Sequence, residues 1–283
     1  MSRVTLGFKA FDAHELLCHF IAVNAGLYRR ERLEVELADI TFTPETELPQ
    51  HFFQASCGAA LVSALQGLGQ KIVFVAVDRP MFWIYSRVPH DGLPGLRHGK
   101  IATFPVVAPP HQLANLILQK EGLIAGENVS LLPARDDVAR LGLLKSGSVD
   151  AAVISSAIAP ARMAALGFHQ LCWFGDSLRI PTTGLAIDQA FSRREPGLVQ
   201  TLVRIHAESL QLIHGDPVQT GAVLCEYFDV SAAISHETAR LYARAFTPDG
   251  RTSQVIAERA ICSLCDVMAI AQRPAWNEVY TFA

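Results

Sequence analysis

The feature that most constrains the fold of this 283-residue chain is a regular alternation of apolar runs and helical patterns between residues 96 and 168. Period-2 or continuous apolar runs predict strands, and apolar residues spaced by three and four predict helices. The predicted elements are a strand at 100–104, a helix at 109–120, a strand at 128–133, a helix at 136–145, a strand at 149–154 and a new helix after it. Such alternation predicts a parallel sheet covered by helices, in which small ligands bind where strands end and helices begin.

The remainder of the chain extends this pattern and ends in a helical region. A strand at 4–11 precedes a helix that starts at Ala13, with Asp12 as its N-cap and Gly26 as its stop. Further strands are predicted at 33–40, 50–56, 71–77, 81–88, 167–174 and 185–188, and further helices at 59–67, 198–214, 217–228, 235–246 and 253–270. We therefore expect an α/β protein with a helical C-terminal wrap.

Charge and hydropathy argue against two classes of partner. The formal net charge is −3, and there is no run of basic residues that would neutralise phosphates or hold a membrane surface. The longest apolar stretches, such as 72–77 and 151–154, are far shorter than the roughly 20 residues that span a bilayer. We expect a small-molecule ligand, no nucleic acid and no membrane insertion.

The first residues and the cysteines are compatible with both a cytoplasmic and a periplasmic location. The sequence MSRVTLGFKAF enters a strand pattern directly, so the protein is either cytoplasmic, with Met1 as its native start, or periplasmic, with an export signal removed. Six irregularly spaced cysteines do not form a disulfide framework. Cys262 and Cys265 form a C-x-x-C pattern, but it lies within a helical pattern, which favours core packing over redox or metal chemistry.

Several segments together resemble a known family. They are GLY at 26–28 followed by LEVEL at 33–37, GAALVSALQG at 58–67, the L-x-x-GKIA pattern of 96–102, KSGSVDAAVI at 145–154 and PGLVQTLVRIHAESLQLI at 196–213. In this order and spacing the chain resembles the sulfonate/nitrate/taurine branch of the type II periplasmic solute-binding proteins, which also includes pyrimidine-precursor binders and synthases.

The resemblance implies a two-lobed periplasmic-binding-protein type II fold, in which each lobe is a mostly parallel sheet flanked by helices. One lobe would comprise residues 1–85 and 185–283, the other residues 86–184, with a ligand cleft between them. The implied function is to close on a small organic anion or polar ring compound of the sulfonate, carboxylate, nitrate or pyrimidine type. An ABC permease would be the partner if the protein is exported. No cofactor is implied.

Four turns are expected to meet the ligand, namely those at 11–14, 56–58, 106–111 and 155–157. Each is predicted to leave unpaired N–H groups at the start of a helix, where the helix dipole favours an anion. Asp12 counts against a bare anion unless its carboxylate caps its own helix. The candidate ligand-binding residues are Phe11, Asp12, His14, Ser56, Cys57, Trp83, Phe104, His111, Ser155, Ser156, Thr182 and Thr183.

Each candidate also has a structural interpretation. Ser56 and Ser156 would be good N-caps in any helix. Phe11 and Phe104 could pack inward as apolar strand residues usually do, or stack on a ligand ring. His14 could be a solvated first-turn residue, and Thr182 and Thr183 could belong to a fixed turn between Pro181 and Gly184.

An enzyme on the same fold is the competing hypothesis. Cys57 would be the nucleophile of a lyase, a desulfinase or a pyrimidine synthase, because a helix N-terminus lowers the pKa of a thiol, with His14 or His51 as the base. The family's synthases carry a cysteine-rich run and a cofactor-bearing lysine and histidine that have no match here. His14 and His19 are five residues apart, which turns them about 140° from each other on a helix and argues against a shared metal ion.

Overall fold

The structure is a computed structural model that describes residues 2–49, 52–106 and 108–282. The chain divides into two compact units. Unit 1 contains the residues up to Pro80 and those from Arg179 onward, and unit 2 contains Met81–Leu178.

The helices and strands follow one another in this order. The first part of unit 1 contains β1 (Ser2–Phe8), α1 (Ala13–Asn24), α2 (Leu27–Arg30), β2 (Leu33–Asp39), β3 (Phe53–Ser56), α3 (Cys57–Leu65) and β4 (Gln70–Val77). Unit 2 contains β5 (Phe82–Ser86), β6 (Lys100–Thr103), α4 (Pro109–Lys120), β7 (Ser130–Pro133), α5 (Asp137–Ser146), β8 (Ala151–Ser155), α6 (Pro160–Ala165), β9 (His169–Trp173) and α7 (Phe174–Ser177). The second part of unit 1 contains β10 (Thr183–Asp188), α8 (Gln189–Arg194), α9 (Pro196–Gly215), α10 (Pro217–Tyr227), α11 (Ala232–Ala243), α12 (Gln254–Met268) and α13 (Trp276–Val279).

Unit 1 is built on a five-stranded sheet with the order β2-β1-β3-β10-β4. β1 is parallel to β2 and β3, whereas β10 is antiparallel to both of its neighbours. The first residue of β10, Thr183, therefore pairs with Ser56 and Val77, the last residues of β3 and β4. The start of β10 lies at the edge where the parallel strands end, which we call the carboxyl edge of unit 1.

Unit 2 repeats this design. Its sheet has the order β7-β6-β8-β5-β9, with β6 parallel to β7 and β8, and with β5 antiparallel to β8 and β9. The first residue of β5, Phe82, pairs with Ser155, the last residue of β8. The expected α/β architecture, two mostly parallel sheets with helices around them, is confirmed. Each sheet contains one strand that is antiparallel to both of its neighbours, β10 in unit 1 and β5 in unit 2.

The strand pairing explains where the two units begin and end. β5 pairs wholly within the sheet of unit 2, so the chain enters that unit at Met81, before the expected boundary of 85/86. β10 pairs wholly within the sheet of unit 1, so the chain returns at Arg179, before the expected boundary of 184/185. Two bonds fix this return within unit 1: Ile180 N–H donates to the Asp78 carbonyl at 2.7 Å, and the Arg179 Nε donates to the Asp78 carboxylate at 3.0 Å.

The core of unit 1 contains a polar network between α1, α2 and α9. The Tyr28 hydroxyl lies 3.1 Å from His19 Nδ1 and 3.0 Å from His206 Nε2, and all three side chains are buried. Nδ1 of His206 has no hydrogen-bond partner among the described residues. Burial lowers the pKa of His19 to about 4 and that of His206 to about 3, so both imidazoles are neutral at pH 7.

Within the described ranges, no helix has the length and apolar character needed to cross a bilayer.

Candidate functional site

The carboxyl edge of unit 1 brings together candidates that are far apart in sequence. The His14 Nε2 lies 2.7 Å from the Thr182 Oγ1, and the Thr183 hydroxyl donates to the His14 carbonyl at 2.9 Å. Thr183 also pairs with Ser56 across β10 and β3. The turn after β1, the end of β3 and the start of β10 therefore supply one continuous polar group made of His14, Ser56, Thr182 and Thr183.

His14 is a buried, neutral hydrogen-bonding group in this arrangement. Only 6% of its surface is exposed, and burial lowers its pKa to about 3. The interpretation of His14 as a solvated first-turn residue is therefore wrong. A pKa this low also makes His14 a weak general base at pH 7, because a base is most effective with a pKa near the working pH.

The acidic residues at this edge carry less charge than the sequence suggests. Asp12 is the N-cap of α1, as predicted, and its Oδ1 accepts the Glu15 N–H at 3.0 Å. Glu15 accepts the Lys9 N–H at 2.7 Å, while burial and the neighbouring Asp12 carboxylate raise its pKa to about 8. Because Glu15 is mostly protonated at pH 7 and Asp12 lies at a positive helix end, the edge does not strongly repel an anion.

The helix starts offer fewer unpaired N–H groups than expected. At the start of α3, the Gly58 N–H donates to the Thr182 carbonyl at 3.2 Å and the Ala59 N–H donates to the Ser56 Oγ at 3.4 Å. Ser56 is thus an N-cap as well as a neighbour of Thr183. The prediction that this turn presents its N–H groups to an anion is therefore wrong for Gly58 and Ala59, because these groups are bonded within unit 1.

Cys57 does not have the surroundings of a nucleophile. It is the first residue of α3 and has no exposed surface, and its thiol donates to the Phe74 carbonyl at 3.6 Å. It packs in a core cluster with Ala60, Leu61 and Ile72. Burial raises the pKa of the Cys57 thiol, so the expected lowering by the helix N-terminus is wrong. His51, the other suggested base, lies outside the described residues.

Phe11 is an exposed aromatic side chain of unit 1 next to this edge. It is 52% exposed, and its ring packs against Phe8 and Phe20 with centroid distances of 5.7 Å and against Phe228 at 6.1 Å. The expectation that Phe11 packs inward is wrong, because the strand ends at Phe8 and Phe11 belongs to the following turn.

Unit 2 has a second group of candidates at its own carboxyl edge. His111 Nδ1 lies 3.0 Å from the Thr103 Oγ1 and 3.2 Å from the Phe104 carbonyl. Phe104 follows the last residue of β6 and is partly exposed, and its ring meets Phe82 edge-on at 5.3 Å. Thr103, Phe104 and His111 thus form one group where β6 ends and α4 begins.

Proline and turn geometry change the two helix starts of unit 2. α4 begins at Pro109 and Pro110, which carry no N–H, and the His111 N–H donates to the Ala108 carbonyl at 3.0 Å. α6 begins only at Pro160, with Ala159 as its N-cap. The expectation that Ser155, Ser156 and Ala157 form a helix start is therefore wrong, and Ser156 is not a cap. Val107 lies outside the described residues.

Arg140 and Asp137, two charged residues on α5 of unit 2, were not among the site residues predicted from the sequence. Arg140 is fully buried, pairs with Asp137 at 2.8 Å and lies over the Phe104 ring at 3.5 Å. Asp137 accepts the hydroxyl of Ser155 at 2.7 Å. A sequence signal was present: Arg140 shares a helix face with Leu144, which is a core position.

Trp83 has a structural environment in unit 2. It is 1% exposed, and its ring stacks on that of Trp173 with a centroid distance of 6.1 Å. Its predicted role in ligand contact stays a prediction, as do those of the other candidates. Among the described residues, no group of three or more His, Cys, Asp or Glu side chains is arranged to hold a metal ion. The described Cys262 and Cys265 are free thiols on α12, and Cys265 packs in the core.

The chain is similar over its full length to solved structures of one architecture. The alkanesulfonate-binding protein SsuA from Xanthomonas axonopodis pv. citri, bound to MOPS, has a TM-score of 0.77 and 15% identity and covers 100% of this chain and 99% of its own. A Candida albicans protein that exhibits the generic periplasmic binding protein structural fold has a TM-score of 0.68 and 11% identity, covering 99% and 96%. The chain has the periplasmic binding protein fold.

An enzyme shares this fold. A variant of the desulfurization enzyme DszB in complex with biphenyl-2-sulfinic acid has a TM-score of 0.72 and 15% identity, covering 98% of this chain and 95% of its own. No protein-family model matches the chain, and no match was found among curated proteins. At these identities the likeness shows the fold, and the function has to be argued from the residues of this chain.

Proposed function

We propose that this protein is a solute-binding protein. Its ligand would be a small organic anion or polar ring compound of the sulfonate, carboxylate, nitrate or pyrimidine type, which it delivers to an ABC permease for uptake. The proposed ligand-binding residues are His14, Ser56, Thr182 and Thr183 at the carboxyl edge of unit 1, and Phe104 and His111 at the carboxyl edge of unit 2.

The observation that carries this proposal is the grouping of hydrogen-bonding side chains at both carboxyl edges. In unit 1 the imidazole of His14 is neutral and lies 2.7 Å from Thr182. In unit 2 the imidazole of His111 lies 3.0 Å from Thr103. In α/β sheets ligands bind outside the carboxyl ends of strands, where strand order reverses, and polar groups at that place determine their orientation.

The charge at the unit 1 edge also supports an anion. Asp12 is used as a helix cap, and the raised pKa of Glu15 removes most of its charge at pH 7. The sulfonate-binding SsuA has the same fold, which agrees with the proposed class of ligand.

An enzyme is less well supported by the same residues. Catalysis by Cys57 would need a thiolate, whereas Cys57 is fully buried and bonded to the Phe74 carbonyl. We therefore assign no catalytic step to this chain.

Isothermal titration calorimetry against short sulfonates, aromatic carboxylates, nitrate and pyrimidines tests the proposal. Thr182→Val removes the hydroxyl that contacts His14 and should weaken binding about twofold to tenfold, since one hydrogen bond contributes about 0.5–1.5 kcal/mol. Thr201→Val is the matched control, because Thr201 lies on α9 and bonds only within that helix, to the Gly197 carbonyl at 2.8 Å. Absence of saturable binding for every compound would overturn the proposal, as would equal affinities of Thr182→Val and wild type.

A further inference from the structure

We infer that Arg140 and Asp137 are positioning residues that hold the Phe104 ring ready to stack on a planar ring of the ligand, so that unit 2 selects aromatic over aliphatic compounds. This inference rests on the proposed function and narrows it to one substrate class, small aromatic anions.

Arg140 is a cation without exposed surface that is held by two hydrogen bonds and one ion pair. Its Nε donates to the Val153 carbonyl at 2.7 Å and its Nη1 donates to the Ala134 carbonyl at 3.2 Å, while Nη2 lies 2.8 Å from the Asp137 Oδ1. A buried charge is costly unless it is paired and hydrogen-bonded, and the planar fork of arginine can satisfy three partners in one orientation. Arg140 therefore ties together the end of β7, the start of α5 and β8.

The same guanidinium group covers one face of the Phe104 ring. Its Cζ lies 3.5 Å from the ring centroid, and Phe82 meets the ring edge-on at 5.3 Å. Phe104 is nevertheless partly exposed, unlike the core residues around it. The ring is thus held on one face by Arg140 and from the side by Phe82 while it packs against the core of unit 2, and we assign its exposed part to the face turned away from Arg140, which a ligand ring would meet.

A cation behind the ring also sets which ligand rings are preferred. The face of phenylalanine is electron-rich, and a cation on one side draws that density toward itself. The opposite face then repels an electron-rich or anionic aromatic ring less than an isolated phenylalanine would. Stacked aromatic pairs contribute about 0.5–1.5 kcal/mol beyond area burial, which corresponds to roughly a twofold to tenfold preference over a saturated ring of similar size.

Asp137 anchors Arg140 and determines the role of Ser155. Its Oδ1 accepts the Ser155 N–H at 2.8 Å and its Oδ2 accepts the Ser155 hydroxyl at 2.7 Å, while the Ser155 Oγ accepts the Ala157 N–H at 3.2 Å. The hydroxyl proton of Ser155 is therefore committed to Asp137. Ser155 shapes the turn after β8 and its hydroxyl proton is used within unit 2, so we assign the selectivity of unit 2 to ring stacking by Phe104.

The test compares two ligands of nearly equal size, benzenesulfonate and cyclohexanesulfonate, by calorimetry on four proteins. Wild type should bind benzenesulfonate about two- to tenfold more tightly. Arg140→Met should lower this ratio to about one, and Arg140→Lys, which keeps the charge without the planar fork, should give an intermediate ratio. Met163→Ala, which destabilises unit 2 at the buried side of α6, outside the core cluster against which Phe104 packs, should keep the wild-type ratio.

The ratio separates a positioning role from general loss of stability, because destabilisation lowers both affinities alike. If Arg140→Met does not fold by circular dichroism, Asp137→Asn is measured in its place, and the same decrease of the ratio is expected. A wild type without preference for benzenesulfonate, or a folded Arg140 or Asp137 variant that keeps the preference, overturns this inference while leaving the proposed function intact. A wild type that binds neither these sulfonates nor any compound of the wider panel overturns both.

Discussion

Acidification from pH 6.5 to pH 5 should destabilise unit 1 through its buried histidines. His14, His19 and His206 ordinarily titrate near 6.5, but burial lowers their pKa values to about 3, 4 and 3. A histidine whose folded pKa is lowered contributes stability above its unfolded pKa and loses it as the pH falls toward its folded pKa. The affected interval therefore runs from about pH 6.5 to about pH 4 for His19 and to about pH 3 for His14 and His206, and in it the unfolded chain takes up protons that the folded chain does not.

The size of this effect follows from the proton count. Between pH 6.5 and pH 5, each of the three histidines lowers the free energy of unfolding by about 1.5 kcal/mol. Glu15 acts in the opposite direction, because its folded pKa of about 8 lies above its ordinary value of 4.5 and its contribution grows as the pH falls. Glu15 adds about 2 kcal/mol of stability over the same interval, so the net loss from these four groups is about 2.5 kcal/mol.

Urea unfolding followed by circular dichroism at both pH values measures this loss. His206→Gln should reduce the difference between pH 6.5 and pH 5 by about 1.5 kcal/mol, because it removes one of the three titrating groups. His236→Gln is the matched control, since His236 is exposed on α11 and should leave the difference unchanged. Equal stability of wild type at the two pH values, or an unchanged difference in His206→Gln, would contradict the proposed effect of the buried histidines.

Three further predictions concern unit 1. Between pH 6.5 and pH 9 the free energy of unfolding should change by about 2 kcal/mol more favourably in Glu15→Gln than in wild type, as measured by urea unfolding, because ionisation of Glu15, whose folded pKa is about 8, destabilises only wild type; equal changes in the two proteins would contradict this. Gly184→Ala should lower the free energy of unfolding by about 2 kcal/mol or more in the same assay, since the added Cβ would collide with the Phe74 carbonyl. The Cβ added in Gly58→Ala meets no atom, so this variant should lose less than about 1 kcal/mol, and similar losses in the two variants would contradict the packing. Cys57 should resist a maleimide reagent in the native protein and react after denaturation, as measured by mass spectrometry of its peptide, and rapid native labelling would contradict its burial.

Much of the fold could be predicted because it depends on local patterns. The helix over 109–120 has the predicted bounds, and β4 follows from an almost continuous apolar run. Long-range pairing has no such local signal. The antiparallel direction of β5 and β10 depends on which strands they pair with, and this pairing also places the unit boundaries at 80/81 and 178/179. Short helices such as α2 and α7 contain too few residues to show a period.

The position of the candidate site could be predicted from the sequence, but the hydrogen-bond partners of its polar groups could not. Turns after parallel strands place His14, Ser56 and His111 at the carboxyl edges, and this follows from element order. Whether an N–H group is free depends on a partner elsewhere in the chain, as for Gly58, which donates to Thr182. The burial of Arg140 depends on the carbonyl groups of Val153 and Ala134, which the sequence of α5 does not reveal.

The most direct test of the central claim, that this chain binds a small anion and releases it unchanged, combines native mass spectrometry with ligand recovery. The protein is incubated with benzenesulfonate and with the calorimetric panel, the mass of the complex is recorded, and the small molecule is then extracted and quantified. We expect a complex with one ligand per chain and complete recovery of the intact compound, for wild type and Cys57→Ala alike. Conversion of any compound by wild type that Cys57→Ala abolishes, or the lack of a complex with every compound, would contradict it.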